Sequence, residues 1–210
     1  MIKAIIFDLD GVLIDSNYIH YETFIKAVQH INKDIYYSYD EHNSLFNSMT
    51  TKNKVKILIQ QGLLKNEDID IIYEKKQELT HEAFDTLQPN VQLISLFQQL
   101  IKLKYRIFCC SNSNTINVKL ILTKLGLIDY FVMILGNNDV IHPKPSPEIY
   151  NTIMTLENIQ PNETLILEDS LIGLEAAYSS KAHVLEIKNV NDVNYKNISN
   201  TICQMEQMGV

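Results

Sequence analysis

Positive charge is scarce in this chain. Its 18 Lys and Arg face 25 Asp and Glu for a formal net charge of −7, and Arg106 is the single arginine. With no basic field to hold a phosphate backbone, nucleic acid is excluded as the expected partner. Long apolar runs are missing too. No stretch approaches the ~18 uncharged apolar residues of a membrane span, so no membrane association is expected. Lys3, Asp8 and Asp10 interrupt the N-terminal apolar run, which argues against reading it as a signal peptide. Cysteine is sparse: Cys109 and Cys110 are adjacent inside an apolar run and Cys203 stands apart. Neither metal-binding nor disulfide spacing is present, and free thiols in a reducing, cytoplasmic compartment are expected. Internal repeats and low-complexity tracts are absent as well. The richness in Ile, Asn and Lys carries no functional content.

What is present is a rhythm of short apolar runs, each followed by a helical pattern. Ile2–Phe7, Arg106–Cys110, Phe131–Leu135, Thr164–Leu167 and His183–Ile187 read as buried strands. Val118, Ile121, Leu122 and Leu125 sit at helical spacing before Gly126, a C-terminal cap. Ser146-Pro147 predicts a further helix, with serine as N-cap, proline in the first turn, and Ile149, Ile153 and Leu156 as its stripe. A helix with the stripe Leu171, Leu174 and Tyr178 is expected after the fourth strand. Nearly all-apolar strands alternating with helices predict an α/β fold, a doubly wound parallel sheet covered on both faces.

Residues 16–85 break the rhythm. Three helices are predicted there, marked by Tyr21, Phe24, Val28 and Ile31, by Val55, Leu58 and Ile59, and by Ile69, Ile72, Tyr73 and Lys76. The expected organisation is a core of residues 1–15 and 86–210 with an inserted helical cap at 16–85, a lid over the end of the first strand. Tyr36, Tyr37, Ser38 and Tyr39 read as cap packing, and His30, His42, His81, His142 and His183 as structural histidines.

In a parallel sheet, ligands bind outside the carboxyl ends of the strands. Asp8 and Asp10 follow the first strand, Ser111 and Asn112 the second, Glu168 and Asp169 the fourth, and Lys144 lies before the helix that follows the third. Two carboxylates at spacing two on a buried strand end are costly unless a cation or a reaction needs them. The set suits phosphoryl transfer. Asp8 and Asp169 are oxygen ligands of the kind Mg²⁺ prefers. Asp8 can serve as nucleophile and Asp10 as acid and base, while Lys144 and Ser111 hold phosphate oxygens.

Four motifs carry a resemblance to a known family. DLDGVLIDS, CCSNSN, KPSPEIY and LEDSLIGLEAA resemble, in order and spacing, the four signatures of the haloacid dehalogenase-like superfamily, in its branch with a small helical cap. Within it, the chain is similar to β-phosphoglucomutase-like and phosphoglycolate phosphatase-like proteins. The resemblance implies Asp8 as nucleophile, Asp10 as acid/base, Ser111 and Asn112 with Lys144 at the phosphate, and Mg²⁺ at Asp8, Glu168 and Asp169 and at the Asp10 backbone carbonyl. It also implies a small phosphorylated metabolite as substrate. Dehalogenases and phosphonate-cleaving relatives lack an acid two residues after the nucleophile; Asp10 is present, which favours phosphate esters.

Ser16 and His20 fall where the mutases carry a hydroxyl and a histidine, and Lys52, Lys54 and Lys56 could bring positive charge to the cap. His20 and Lys52 are therefore candidate substrate contacts. The mutases grip a second phosphate with a cap arginine, and residues 16–85 contain none; lysine does not reproduce that bidentate fork. The expectation is a Mg²⁺-dependent, monomeric phosphatase. A phosphohexomutase and a non-catalytic phosphometabolite-binding module are the alternatives.

Overall fold

The structure, a computed structural model, describes residues 1–46 and 48–207. Residues 208–210, the end of the expected core, lie outside the described set. The chain divides into two compact units: Met1–Asp15 with Leu87–Val210, and Ser16–Thr86.

The first unit is built on a five-stranded parallel sheet of β1 (Ala4–Phe7), β2 (Arg106–Cys110), β3 (Met133–Leu135), β4 (Thr164–Glu168) and β5 (His183–Glu186), in the order β3-β2-β1-β4-β5. This is the α/β parallel sheet that the apolar runs predict. β1 is central and buried along its whole length, so both of its faces must be covered.

Helices do this from opposite sides. Ile6, Phe108 and Ile166 join Ile149, Tyr150 and Ile153 of α7 (Glu148–Leu156) and Ala176 and Ala177 of α8 (Leu171–Ser179) in one core. Phe7, one residue along β1, points the other way and stacks on Phe97 of α5 (Val91–Lys102), with ring centroids 5.0 Å apart. α6 (Thr115–Lys124) and α9 (Tyr195–Gln207) complete the unit, α9 packing on α5 and α6 beside β3.

Two apolar stripes differ from expectation. On α8 the buried residues are Gly173, Ala176 and Ala177, while Leu171 is 87% exposed and Tyr178 is exposed. Small side chains let this helix lie close against β4 and β5, which turns the larger ones outward. On α7, Tyr150 and Met154 are buried beside Ile149 and Ile153, and Leu156 is exposed. α7 also begins one residue late: Pro147 occupies the cap position, and the Ser146 hydroxyl accepts from the Glu148 N–H.

The second unit holds α1 (Asn17–Gln29), α2 (Tyr39–Phe46), α3 (Thr51–Gln60) and α4 (Asp68–Phe84). α1 packs on α4 and α2, and α3 on α4. Phe24, Val28, Phe46, Val55, Leu58 and Ile72 form its core. The expected three helices are present, and α2 is a fourth. It buries only His42 and Phe46, too few apolar positions to register as a periodic stripe.

No helix among the described residues is long and apolar enough to cross a membrane.

Candidate active site

The carboxyl ends of β1, β2 and β4 deliver the polar residues to one edge of the sheet. The β1–β2 and β1–β4 ladders pair Phe7 with Cys109 and with Leu167. Asp8, Cys110 and Glu168 therefore leave the three central strands at the same level. Lys144 reaches them from the loop before α7. Glu148 accepts from the N–H groups of Ile141 and His142. The Asn112 amide clasps the backbone of Lys144 on both sides, accepting from its N–H at 3.0 Å and donating to its carbonyl at 3.1 Å. The side chain of Asn112 thus sets the lysine loop; in this arrangement its amide faces Lys144, which differs from the phosphate contact implied by the resemblance.

The Lys144 ammonium donates to Asp8 Oδ1 at 2.6 Å, to Glu168 Oε2 at 2.7 Å and to the Cys110 carbonyl at 2.9 Å. Its three protons are all engaged. Asp8 and Lys144 are about as buried as core residues, and Glu168 is 0% exposed. Burial alone would push the lysine down; Asp8 and Glu168 outweigh it and hold the ammonium well above its ordinary range. Burial and Glu168 push the Asp8 carboxyl up, against the pull of Lys144.

Glu168 is the most heavily bonded acid. Oε1 accepts from the Asp169 N–H and from the Ser170 N–H and hydroxyl, and Oε2 from Lys144 and the Tyr150 hydroxyl at 2.7 Å. Ser170 also caps α8 by accepting from the Gly173 N–H. Asp10 is turned toward the β2 loop, where its Oδ2 accepts from the hydroxyls of Ser111 at 3.3 Å and Ser113 at 2.9 Å.

Asp169 lies against Gly11 in the turn after β1. Gly11, at φ +88°, makes room for it: a Cβ there would stand 2.0 Å from Asp169 Oδ2. Burial, then Glu168 and Asp10, push the Asp169 carboxyl up to about 7. Its Oδ1 is buried without a hydrogen-bond partner among the described residues.

Oxygen atoms of Asp8, Glu168 and Asp169 lie within 4.8 Å of one another. Lys144 is the lone cation bonded into this acidic cluster in the contacts above, so negative charge is in surplus. All the donors are oxygen and one buried oxygen is orphaned. These are the features a hard divalent cation requires. Asp8 and Asp169 are open to such an ion, whereas both oxygens of Glu168 are already engaged.

Asp8, Asp10, Ser111, Lys144, Glu168 and Asp169 are thus brought together, and Asn112 supports them. His20 and Lys52 lie in the helical unit. His20 Nδ1 is 3.3 Å from the Lys76 ammonium and its ring meets the edge of Phe84. Lys52 is on the surface, 3.5 Å from Asp70 and over the Tyr73 ring. Sequence reasoning missed Ser113, Tyr150 and Gly173, and placed Ser170 after the fourth strand without giving it a role. Each falls inside a quoted motif, but nothing in the sequence separates a hydroxyl that touches an acid from one that only caps a turn.

A parallel α/β unit with an acid pair after its first strand, a serine after the second, a buried lysine and a further acid pair after the fourth defines a class. Residues 5–187 match the haloacid dehalogenase-like hydrolase family, and the chain belongs to it. It is 25% identical over 181 residues to a phosphorylated carbohydrates phosphatase of Thermotoga maritima, covering 85% of this chain and 81% of that one. It is 28% identical over 188 residues to a β-phosphoglucomutase of Bacillus subtilis, covering 85% and 80%. The crystal structure of a β-phosphoglucomutase from Clostridium difficile superposes with a TM-score of 0.83 at 22% identity, covering 97% of this chain and 98% of that one.

Proposed function

We propose that this chain is a phosphatase that hydrolyses a small phosphorylated metabolite, of sugar phosphate or phosphoglycolate type, through an aspartyl-phosphate on Asp8. The observation that carries the reading is the 2.6 Å contact between Asp8 Oδ1 and the buried Lys144 ammonium, with Asp10 two residues away and held by two hydroxyls. Family membership and the phosphatase-named relative support it.

Lys144 fixes one oxygen of Asp8, which leaves Oδ2 to attack phosphorus. The ester P–O bond breaks as the Asp8–phosphorus bond forms, and Asp10 gives its proton to the departing oxygen. Asp10 then takes a proton from water, whose oxygen attacks phosphorus and releases phosphate from Asp8. Ser111 and Ser113 hold the Asp10 carboxylate and can pass to the phosphate oxygens when substrate enters. A Mg²⁺ held by Asp8 and Asp169 would neutralise the repulsion between carboxylate and phosphate.

The helical unit, Ser16–Thr86, is proposed as the cap that selects substrate, with His20 and Lys52 as its candidate contacts. The sole arginine, Arg106, sits on β2 and pairs with Glu157. Hydrolysis is therefore favoured over transfer to a second hydroxyl.

The test is a panel of phosphorylated metabolites assayed for phosphate release with and without Mg²⁺, beside Asp8→Asn. Loss of a nucleophile is expected to lower the rate by about 10⁴-fold or more. A flat panel, or full activity in Asp8→Asn, sinks the reading. Conversion of a sugar 1-phosphate to a 6-phosphate without free phosphate would replace it with the mutase.

A further inference from the structure

We propose that Tyr150 is a positioning residue for Lys144, acting on it through Glu168 and through its own ring. Its kinetic readout rests on the hydrolytic reading above; its structural readout does not.

Among the described residues Tyr150 is the largest fully buried side chain, and it lies on the inner face of α7, six residues after Lys144. A phenol in an apolar core needs a partner for its hydroxyl. Here the partner is Glu168 Oε2, at 2.7 Å. The same oxygen accepts from Lys144, also at 2.7 Å. The ring face lies under the ammonium, with Nζ 4.9 Å from the centroid. One residue thus touches the lysine from below and its counter-ion from the side.

The two Glu168 oxygens are held by different means. Oε1 takes three donors from the Asp169–Ser170 turn, which fixes one end of the carboxylate. Oε2 takes only Lys144 and Tyr150. Without the phenol, Lys144 is the sole donor on Oε2, and the carboxylate can turn about its fixed end toward the ammonium. Lys144 would follow that charge, away from Asp8 Oδ1. The Asp8 side chain would lose the contact that leaves Oδ2 free to attack. Asn112 sets the lysine's backbone and Tyr150 sets its head.

A purely packing role predicts something else. Phenylalanine keeps the ring, its volume and its face toward the ammonium, so packing alone would leave turnover unchanged. The hydroxyl is the part under test.

The experiment compares wild type, Tyr150→Phe, Tyr150→Leu and, as a packing control on the same helix, Ile153→Val. Steady-state hydrolysis of the best phosphate ester is read as kcat and KM separately. Losing a hydrogen bond to a buried charge is expected to lower kcat in Tyr150→Phe by about tenfold or more. KM should stay within about twofold, because Lys144 already has all three protons engaged by the protein. Tyr150→Leu should fall further, and Ile153→Val should lose thermal stability without losing kcat. A kcat in Tyr150→Phe within twofold of wild type overturns the proposal, as does a loss that merely tracks melting temperature across the variants.

Crystal structures of wild type and Tyr150→Phe read the ammonium directly, whatever ester the enzyme accepts. A Lys144 displaced from Asp8 Oδ1 is expected. An unmoved Lys144 and Glu168 overturn the proposal even if the phosphatase reading stands, and a silent ester panel would sink that reading alone.

Discussion

At the scale of single residues, the site is limited by space as much as by charge. Gly173 sits in the first turns of α8, and a Cβ there would stand 2.1 Å from the Glu168 carboxyl carbon. Helix propensity favours alanine over glycine by about 1 kcal/mol. Contact with a buried carboxylate acts the other way, because overpacking costs about 1–3 kcal/mol and Glu168 has nowhere to move. Gly173→Ala is therefore expected to destabilise the chain by up to about 2 kcal/mol net and to depress turnover. Denaturant unfolding with a companion activity assay checks this. An alanine variant more stable than wild type would mean that Glu168 is looser than its five donors imply.

At the scale of elements, α8 shows where sequence pattern and packing part. Leu171, Leu174 and Tyr178 have the period of a buried stripe, yet Leu171 is 87% exposed and Ala177 is fully buried. Leu171→Gln is expected to change stability by less than about 0.5 kcal/mol. Ala177→Leu, forced against β4 and β5, is expected to cost about 1–3 kcal/mol. Equal effects in thermal melts would restore the leucine stripe. β1, β2 and β4 were legible because a central parallel strand has both faces covered and so reads as an unbroken apolar run, whereas β3 and β5 are partly buried edge strands marked only by short apolar runs. Helices packing through Gly and Ala leave no such mark, and α2, with two buried residues, leaves almost none. Asp8, Asp10, Lys144 and Asp169 could be placed at one edge because chemistry collects at the ends of parallel strands. The roles of Tyr150, Ser113 and the Asn112 amide depend on side-chain directions that motif spacing does not carry.

The helical unit carries its own titration. His42 is buried among aromatic rings, with Nε2 3.2 Å from the Lys54 ammonium. Burial, then Lys54, lowers it from its ordinary range to about 4. The unfolded chain takes up that proton near pH 6.5 and the folded unit near 4. Stability contributed at His42 is thus complete above pH 6.5 and is lost as pH falls toward 4. Amide protection factors in α1, α2 and α3, corrected for the intrinsic exchange rate at each pH, should fall on acidification over that window. His42→Gln should flatten the dependence, and an unchanged slope in that variant would remove His42 as its source.

At the scale of the whole molecule, the acidic cluster sets a cost that a bound cation would relieve. Asp169 titrates near 7 in the folded chain, well above its ordinary 3.8. Between those values the folded state holds a proton that the unfolded state has released. Stability from this group therefore falls as pH rises from about 4 to 7, the reverse of a salt-bridged carboxylate. A Mg²⁺ bound at Asp169 would compete with that proton, so its affinity should strengthen over the same interval. At a hundredfold excess over its dissociation constant it would add about 2.7 kcal/mol to folding. The melting temperature gained on adding Mg²⁺ should be large at pH 8 and small at pH 5. Asp169→Asn should remove most of that gain and, without metal at pH 8, should melt above wild type, because it deletes a charge the fold tolerates poorly. A Mg²⁺ shift that is equal at both pH values, or intact in Asp169→Asn, would place the cation away from these carboxylates and leave their surplus charge without a physical purpose.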